Sequence, residues 1–162
     1  MCVRIKNPIK KFEIFDEAIS HCRWKKNIYK IINQINIKEY NKKSFDDIFT
    51  NIFNKTTSIK GVGFLSTYDI VAAICRFHNV IIDKVFIIGN GPKNAIKLLK
   101  LKCKTYKINN IKLKYVDINE VKNAFIKEHF TLESNIKTCV DGDLIESFLC
   151  NWQKSFKHII HI

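Results

Sequence analysis

The chain has 162 residues, 46% of them hydrophobic and 12% aromatic, which suits one domain burying roughly 70% of its unfolded surface and excludes a disordered chain. No run approaches about 18 apolar residues, so a transmembrane helix is excluded as well. Lys and Arg total 28 against 15 Asp and Glu, a net charge of +13 that favours a polyanionic partner, with nucleic acid first and DNA ahead of RNA.

Heavy use of Ile, Asn and Lys also fits an AT-rich genome, so solubility alone is the plainer reading of part of that charge. A membrane surface is not the expected partner: one long basic amphipathic helix is the only candidate, and no lipidation signal accompanies it. Met1 to Lys6 lacks the apolar core of a signal peptide, so an intracellular, reducing compartment is expected. The six cysteines, Cys2, Cys22, Cys75, Cys103, Cys139 and Cys150, show no zinc-knuckle spacing. Nor do His21 beside Cys22, or His158 and His161, complete one. Free thiols are expected, with no metal and no cofactor.

Taken in chain order, Phe15, Ile19, Cys22, Tyr29 and Ile32 recur at helical steps and predict one long helix from Phe12 to about Ile35. Ser44 reads as an N-cap, with Asp47 three residues on. The helix it opens carries Phe45, Ile48, Phe49, Ile52 and Phe53 and fades by Thr57. A glycine turn follows at Ile59-Lys60-Gly61-Val62-Gly63, then a helix from about Ser66 to His78. Val80 to Ile88 fits either a short strand or a buried helical segment. Gly89-Asn90-Gly91-Pro92 is a second turn, with Pro92 suited to the first position of a helix that reaches about Leu101. A hairpin centred on Asn109-Asn110 is allowed in the basic stretch from Lys102 to Lys114. Val116 to Phe130 and Asp141 to Lys157 read as helices. Trp24 and Trp152 are expected mostly in the core. The result is a single mainly α domain over 1–162, with a small β-hairpin.

In the first glycine turn, both glycines allow a sharp bend, and the following helix presents unpaired amides and the positive end of its dipole. A phosphate oxygen fits there, with Lys60 at the edge. With Ile59 in the leading apolar position and Gly61-Val62-Gly63 as a Gly-apolar-Gly core, residues Ser44 to His78 resemble the helix-hairpin-helix motif of DNA-binding proteins, including glycosylases. Lys60 stands where proline is frequent, Thr67 where a small alanine is common, and Phe64 is bulkier than usual. An ordinary helical hairpin is the plainer reading of the same spacing.

A second set of landmarks comprises Tyr68-Asp69, Asp83-Lys84-Val85-Phe86-Ile87, Gly91 to Leu98 and Ile145 to Cys150. These resemble a family of uncharacterised bacterial and phage proteins. That resemblance implies shared architecture from Gly61 to Cys150 and no assigned activity. Tyr68 and Asp69 are expected to organise the turn as supporting residues rather than to act in chemistry.

The glycosylase resemblance implies an essential aspartate about twenty residues past the hairpin, and Asp83 lies twenty after Gly63. The position that holds a lysine in bifunctional members is Leu65, so Schiff-base chemistry is not expected. Asp83 is therefore the candidate catalytic residue, against the plainer reading of a polar residue paired with Lys84. No hydrolase triad, zinc-protease helix or Walker loop is present. The basic strip interleaves Lys102, Lys104 and Lys107 with Tyr106, and Lys112 and Lys114 with Tyr115. Such a strip suits phosphate contact and base stacking, or simply a solvated strand edge. The leading expectation is a nucleic-acid-binding domain that contacts the backbone through Lys60, Gly61, Val62 and Gly63, extended by Lys93, Lys102, Lys104 and Lys107. A glycosylase-like enzyme using Asp83 and a protein-interaction module are the alternatives.

Overall fold

The computed structural model of the protein describes residues 8–157. Cys2, His158, His161 and the N-terminal stretch considered above lie outside them. The described residues are mainly helical, with one small antiparallel sheet. The chain divides into two compact units, Met1–Val80 and Ile81–Ile162.

In the first unit, the expected long N-terminal helix is three shorter ones: α1 (Pro8–Ile14), α2 (Asp16–His21) and α3 (Lys25–Gln34). The apolar period runs straight through the breaks, since Phe15 and Cys22 are buried although neither is helical. What stops α2 is tertiary. Cys22 turns extended at ψ 123°, its thiol directed at the Gly61 carbonyl 3.4 Å away. The Lys25 ammonium takes up the carbonyls of Ile19 and Ser20 at the end of α2, where the dipole favours a cation. A short 3-10 turn, Ile37–Tyr40, leads to α4 (Phe45–Thr56). Ser44 caps α4 as expected, its hydroxyl accepting from the Asp47 N–H at 3.2 Å.

Helix α5 (Phe64–Phe77) is buried continuously from Ser66 to Cys75 and packs against α4 and α2. A helix with so little polar face belongs in an interior. Its hydroxyls are satisfied locally: Thr67 donates to the Gly63 carbonyl at 2.9 Å and meets the Thr56 hydroxyl at 2.7 Å. The threonine that departs from the helix-hairpin-helix pattern is thus the polar tie between α4 and α5.

In the second unit, β1 (Lys84–Phe86) settles the ambiguous apolar run as a strand. Helix α6 (Asn90–Leu98) begins two residues before Pro92, which sits third in the helix, still among the N–H positions that have no intrahelical partner. The hairpin is present: β2 (Lys104–Ile108) and β3 (Ile111–Asp117) are joined by Asn109-Asn110, with Asn109 at φ +54°, a conformation asparagine tolerates. The strand order is β1-β3-β2, both pairings antiparallel. Helices α7 (Ile118–Lys127), α8 (Ser134–Lys137) and α9 (Gly142–Lys157) follow. The core joins Val85 and Val116 of the sheet to Ile96, Val121, Phe125 and Leu149 of the helices. Trp152 packs partly buried against it, 4.7 Å from the Phe125 ring.

Candidate nucleic-acid interface

Three places carry the residues singled out from the sequence, one in the first unit and two in the second. The first is the glycine turn. Gly61 has φ +80°, but Gly63 is extended at φ −93°, ψ −166°, so only one of the two glycines is there for a left-handed backbone. Lys60, Gly61 and Gly63 are exposed, whereas the Val62 side chain is buried and anchors the turn. Gly63 is the N-cap of α5 and supplies no side-chain cap, which leaves the first amides of the helix open.

Trp24 covers the other side of the turn. Contrary to expectation it is 46% exposed, not a core residue. Its indole lies so close to Gly61 that a Cβ there would stand 1.9 Å from the ring. The Lys60 ammonium is 5.2 Å from the ring centre. Asn27 donates to the Lys60 carbonyl at 2.7 Å, and Cys22 lies against the Gly61 carbonyl. Asp69, 6% exposed, pairs with His21 Nδ1 at 2.7 Å, while His21 itself is half-exposed. Asp69 therefore secures the segment that lies over the turn. Tyr68 is buried in the same helix.

The second place is the β-hairpin. The pleat sends alternate residues to opposite faces, and the register places Thr105 opposite Lys114 and Lys107 opposite Lys112 on one of them. That face carries three exposed lysines and no carboxylate. None of Lys107, Lys112 and Lys114 has an ion pair among the described residues; the Lys114 ammonium donates to the Thr105 hydroxyl at 3.0 Å. Tyr106 and Tyr115 point to the opposite face, where they form an aromatic cluster with Phe86. The Lys84 ammonium stands 4.7 Å from the Tyr106 ring centre. The tyrosines expected to stack on bases are thus turned away from the lysines that alternate with them.

Lys104 belongs to the tyrosine face and is engaged there. Its ammonium is held by Asp117 and, at 3.1 Å, by Glu120. The hydrogen bonds it donates to those two carboxylates raise its pKa above the usual lysine value. Lys93 is exposed on α6 and Lys102 is exposed just before β2. Lys112 and Lys114, part of the basic strip in the sequence, are better placed for an anion than Lys104.

The third place is a cleft of about 480 Å³ lined by Asp83, Asp117, Glu120, Lys122, Asn123 and Cys139. The Asp83 side chain is 81% exposed and pairs with the Lys84 ammonium at 2.9 Å. Glu120 also accepts from the Asp117 N–H at 3.2 Å, capping α7, and Lys122 donates to the Cys139 carbonyl at 2.7 Å. Among the described residues no group of three His, Cys, Asp or Glu side chains is placed to hold a metal ion. Among them, too, no helix is long and apolar enough to cross a membrane.

No family model matches the chain, and no solved structure matches it. Among curated proteins, an alignment 76 positions long is 38% identical to glutamate–tRNA ligase of Wigglesworthia glossinidia brevipalpis; it covers 44% of this chain and 15% of that protein's length.

Proposed function

We propose that this chain binds nucleic acid, DNA in the first instance, through its phosphate backbone. The observation that carries the reading is the hairpin face of Lys107, Lys112 and Lys114. Directly opposed like charges on a strand pair are destabilising by a few tenths of a kcal/mol or more. Lys107 and Lys112 are such a pair, and the face holds no acid to relieve them. A polyanion laid on that face offsets the repulsion. Lys and Arg exceed Asp and Glu by 14 to 7 in the first unit and by 14 to 8 in the second, so each contributes to the field. The partial match to a protein whose name assigns it tRNA adds modest support from a nucleic-acid enzyme. The turn of Lys60 to Gly63, in its helix-hairpin-helix-like setting of α4 and α5, supplies a second backbone contact, with Lys93 and Lys102 extending the basic surface.

The test is fluorescence anisotropy with duplex and single-stranded DNA and RNA across a salt series. Replacing Lys107, Lys112 and Lys114 together with Gln should weaken duplex binding and reduce the log–log salt slope by about 3, at roughly 0.9 per phosphate. An unchanged slope in the folded variant would remove the hairpin face from the interface. No binding by the wild-type chain at low salt would leave the interaction-module reading.

A second reading is a base-excising enzyme, favoured by the position of Asp83 on a cleft with two further carboxylates. Asp83→Asn should then abolish release of a damaged base from duplex DNA and leave binding intact. Absence of base release by the wild-type chain from uracil-containing, oxidised and alkylated duplexes ends that reading.

A further inference from the structure

We infer that Trp24 is a stacking platform for an unpaired base, so that the first unit takes single-stranded nucleic acid. This rests on the nucleic-acid reading and names the form of the ligand. A tryptophan left half in water forgoes much of its burial energy, and most tryptophans are well covered. Trp24 is nonetheless 46% exposed, and it is held in place rather than loose.

Its backbone carbonyl opens α3, accepting from the N–H groups of Asn27 at 3.0 Å and Ile28 at 3.1 Å. The segment on its N-terminal side is fastened by His21 to the buried Asp69 and by Cys22 to the Gly61 carbonyl. The segment on its C-terminal side is fastened by Asn27 to the Lys60 carbonyl. The indole itself rests on Gly61, at a distance only a residue without Cβ permits. An exposed aromatic ring fixed by its neighbours loses little conformational freedom when a flat ligand settles on it.

One charge over the ring, and two close to Trp24 in the chain, match the phosphates that would flank such a base. Arg23, Lys26 and Lys60 are exposed and have no ion pair among the described residues, and Lys60 already places its ammonium near the indole. Charge plus an aromatic face is the combination that binds single strands without regard to sequence. The hairpin face of the second unit has the charge alone, because its tyrosines point the other way. The two surfaces therefore differ in what they take: the hairpin tracks backbone in either form, and Trp24 adds affinity only where a base is unpaired.

The experiment compares oligo-dT with a duplex of equal length, using end-labelled oligonucleotides and the full chain. Trp24→Leu should weaken oligo-dT binding by about 5- to 100-fold and leave the duplex within about twofold. Trp24→Phe should retain part of the single-strand affinity. In a Trp152→Phe background, where Trp24 is the sole tryptophan, oligo-dT should quench the intrinsic fluorescence and the duplex should not. Equal losses on both ligands, or no quenching at saturating oligo-dT, overturn the assignment while the lysine face still stands. Failure of the wild type to bind either ligand overturns the nucleic-acid reading and this inference with it.

Discussion

Two Gly-x-Gly turns open helices in this chain, one in each unit, and the same spacing answers different physical demands. Gly61-Val62-Gly63 leads into α5, and Gly89-Asn90-Gly91 runs into α6. The first glycine of each has a left-handed backbone, φ +80° at Gly61 and +89° at Gly89, where an L side chain is strained. The second glycines part company. A Cβ on Gly91 would stand 2.4 Å from Cys150 Sγ and 3.3 Å from its Cβ, so the bare backbone is what lets α6 and α9 close on each other. Gly63 has an ordinary φ, and nothing lies within 4 Å of the position its Cβ would take. Glycine spacing alone reports only that the chain bends. Whether a second glycine is there for packing or stands open to an approaching ligand is decided by what lies opposite it.

The sharpest way to break this comparison is at Gly91. Gly91→Ala should cost about 1–3 kcal/mol as an overpacked helix contact, lowering the melting temperature by about 2–4 °C for each kcal/mol. Because Cys150 Sγ is the nearest atom, Cys150→Ala should recover most of the loss when combined with it. A strictly additive double variant would show that the contact is not what Gly91 serves. Gly61→Ala should follow, at about 1–2 kcal/mol for the left-handed backbone. It carries a second signature, since the added methyl displaces the indole of Trp24. In the Trp152→Phe background the emission of Trp24 should change along with the melting temperature, and single-strand affinity should fall. A Gly61→Ala chain with wild-type emission and stability would mean that the turn and the ring are not coupled.

The sequence carried local signals faithfully and non-local ones poorly. Ser44 with Asp47, the two-residue loop at Asn109-Asn110 and the start of the last helix at Asp141-Gly142 are set by neighbours a few residues apart, and each lies where its pattern put it. The break at Cys22 to Trp24 depends on Gly61, 39 residues from Cys22, while the apolar period continues across it. The His21–Asp69 pair spans 48 residues and left no trace in spacing. The composition of Val80 to Ile88 fits strand or helix alike, and it is the pairing of β1 with β3 that separates the two. Two features of the candidate surfaces run against expectation, although the sequence carries a signal for each. Lys107 follows Tyr106 and Lys114 precedes Tyr115 by one residue, and adjacent residues of a strand face opposite ways, which separates those lysines from the rings; Lys104, two residues from Tyr106, shares the tyrosine face. A tryptophan set among Arg23, Lys25 and Lys26 is an awkward core residue, and the flanking charge is the signal that it lies outside.

The smallest expected effect tests the open glycine. Gly63 caps α5 without a side chain, in an extended conformation that serine adopts readily and with room for its hydroxymethyl group. A serine oxygen there would accept from the N–H of Leu65 or Ser66, and serine exceeds glycine as an N-cap by a few tenths of a kcal/mol. Gly63→Ser should therefore raise the melting temperature by about 1 °C. The same amides are the ones proposed to meet a phosphate, so a side chain that satisfies them competes with the ligand. Stability and binding should move in opposite directions: a slightly firmer fold, and a salt slope on duplex DNA lower by about 1. If the fold gains and the slope does not change, the amides of this turn take no phosphate. The backbone contact would then rest on lysines, those of the hairpin face foremost, and the first unit would contribute through the exposed indole and the charges near it.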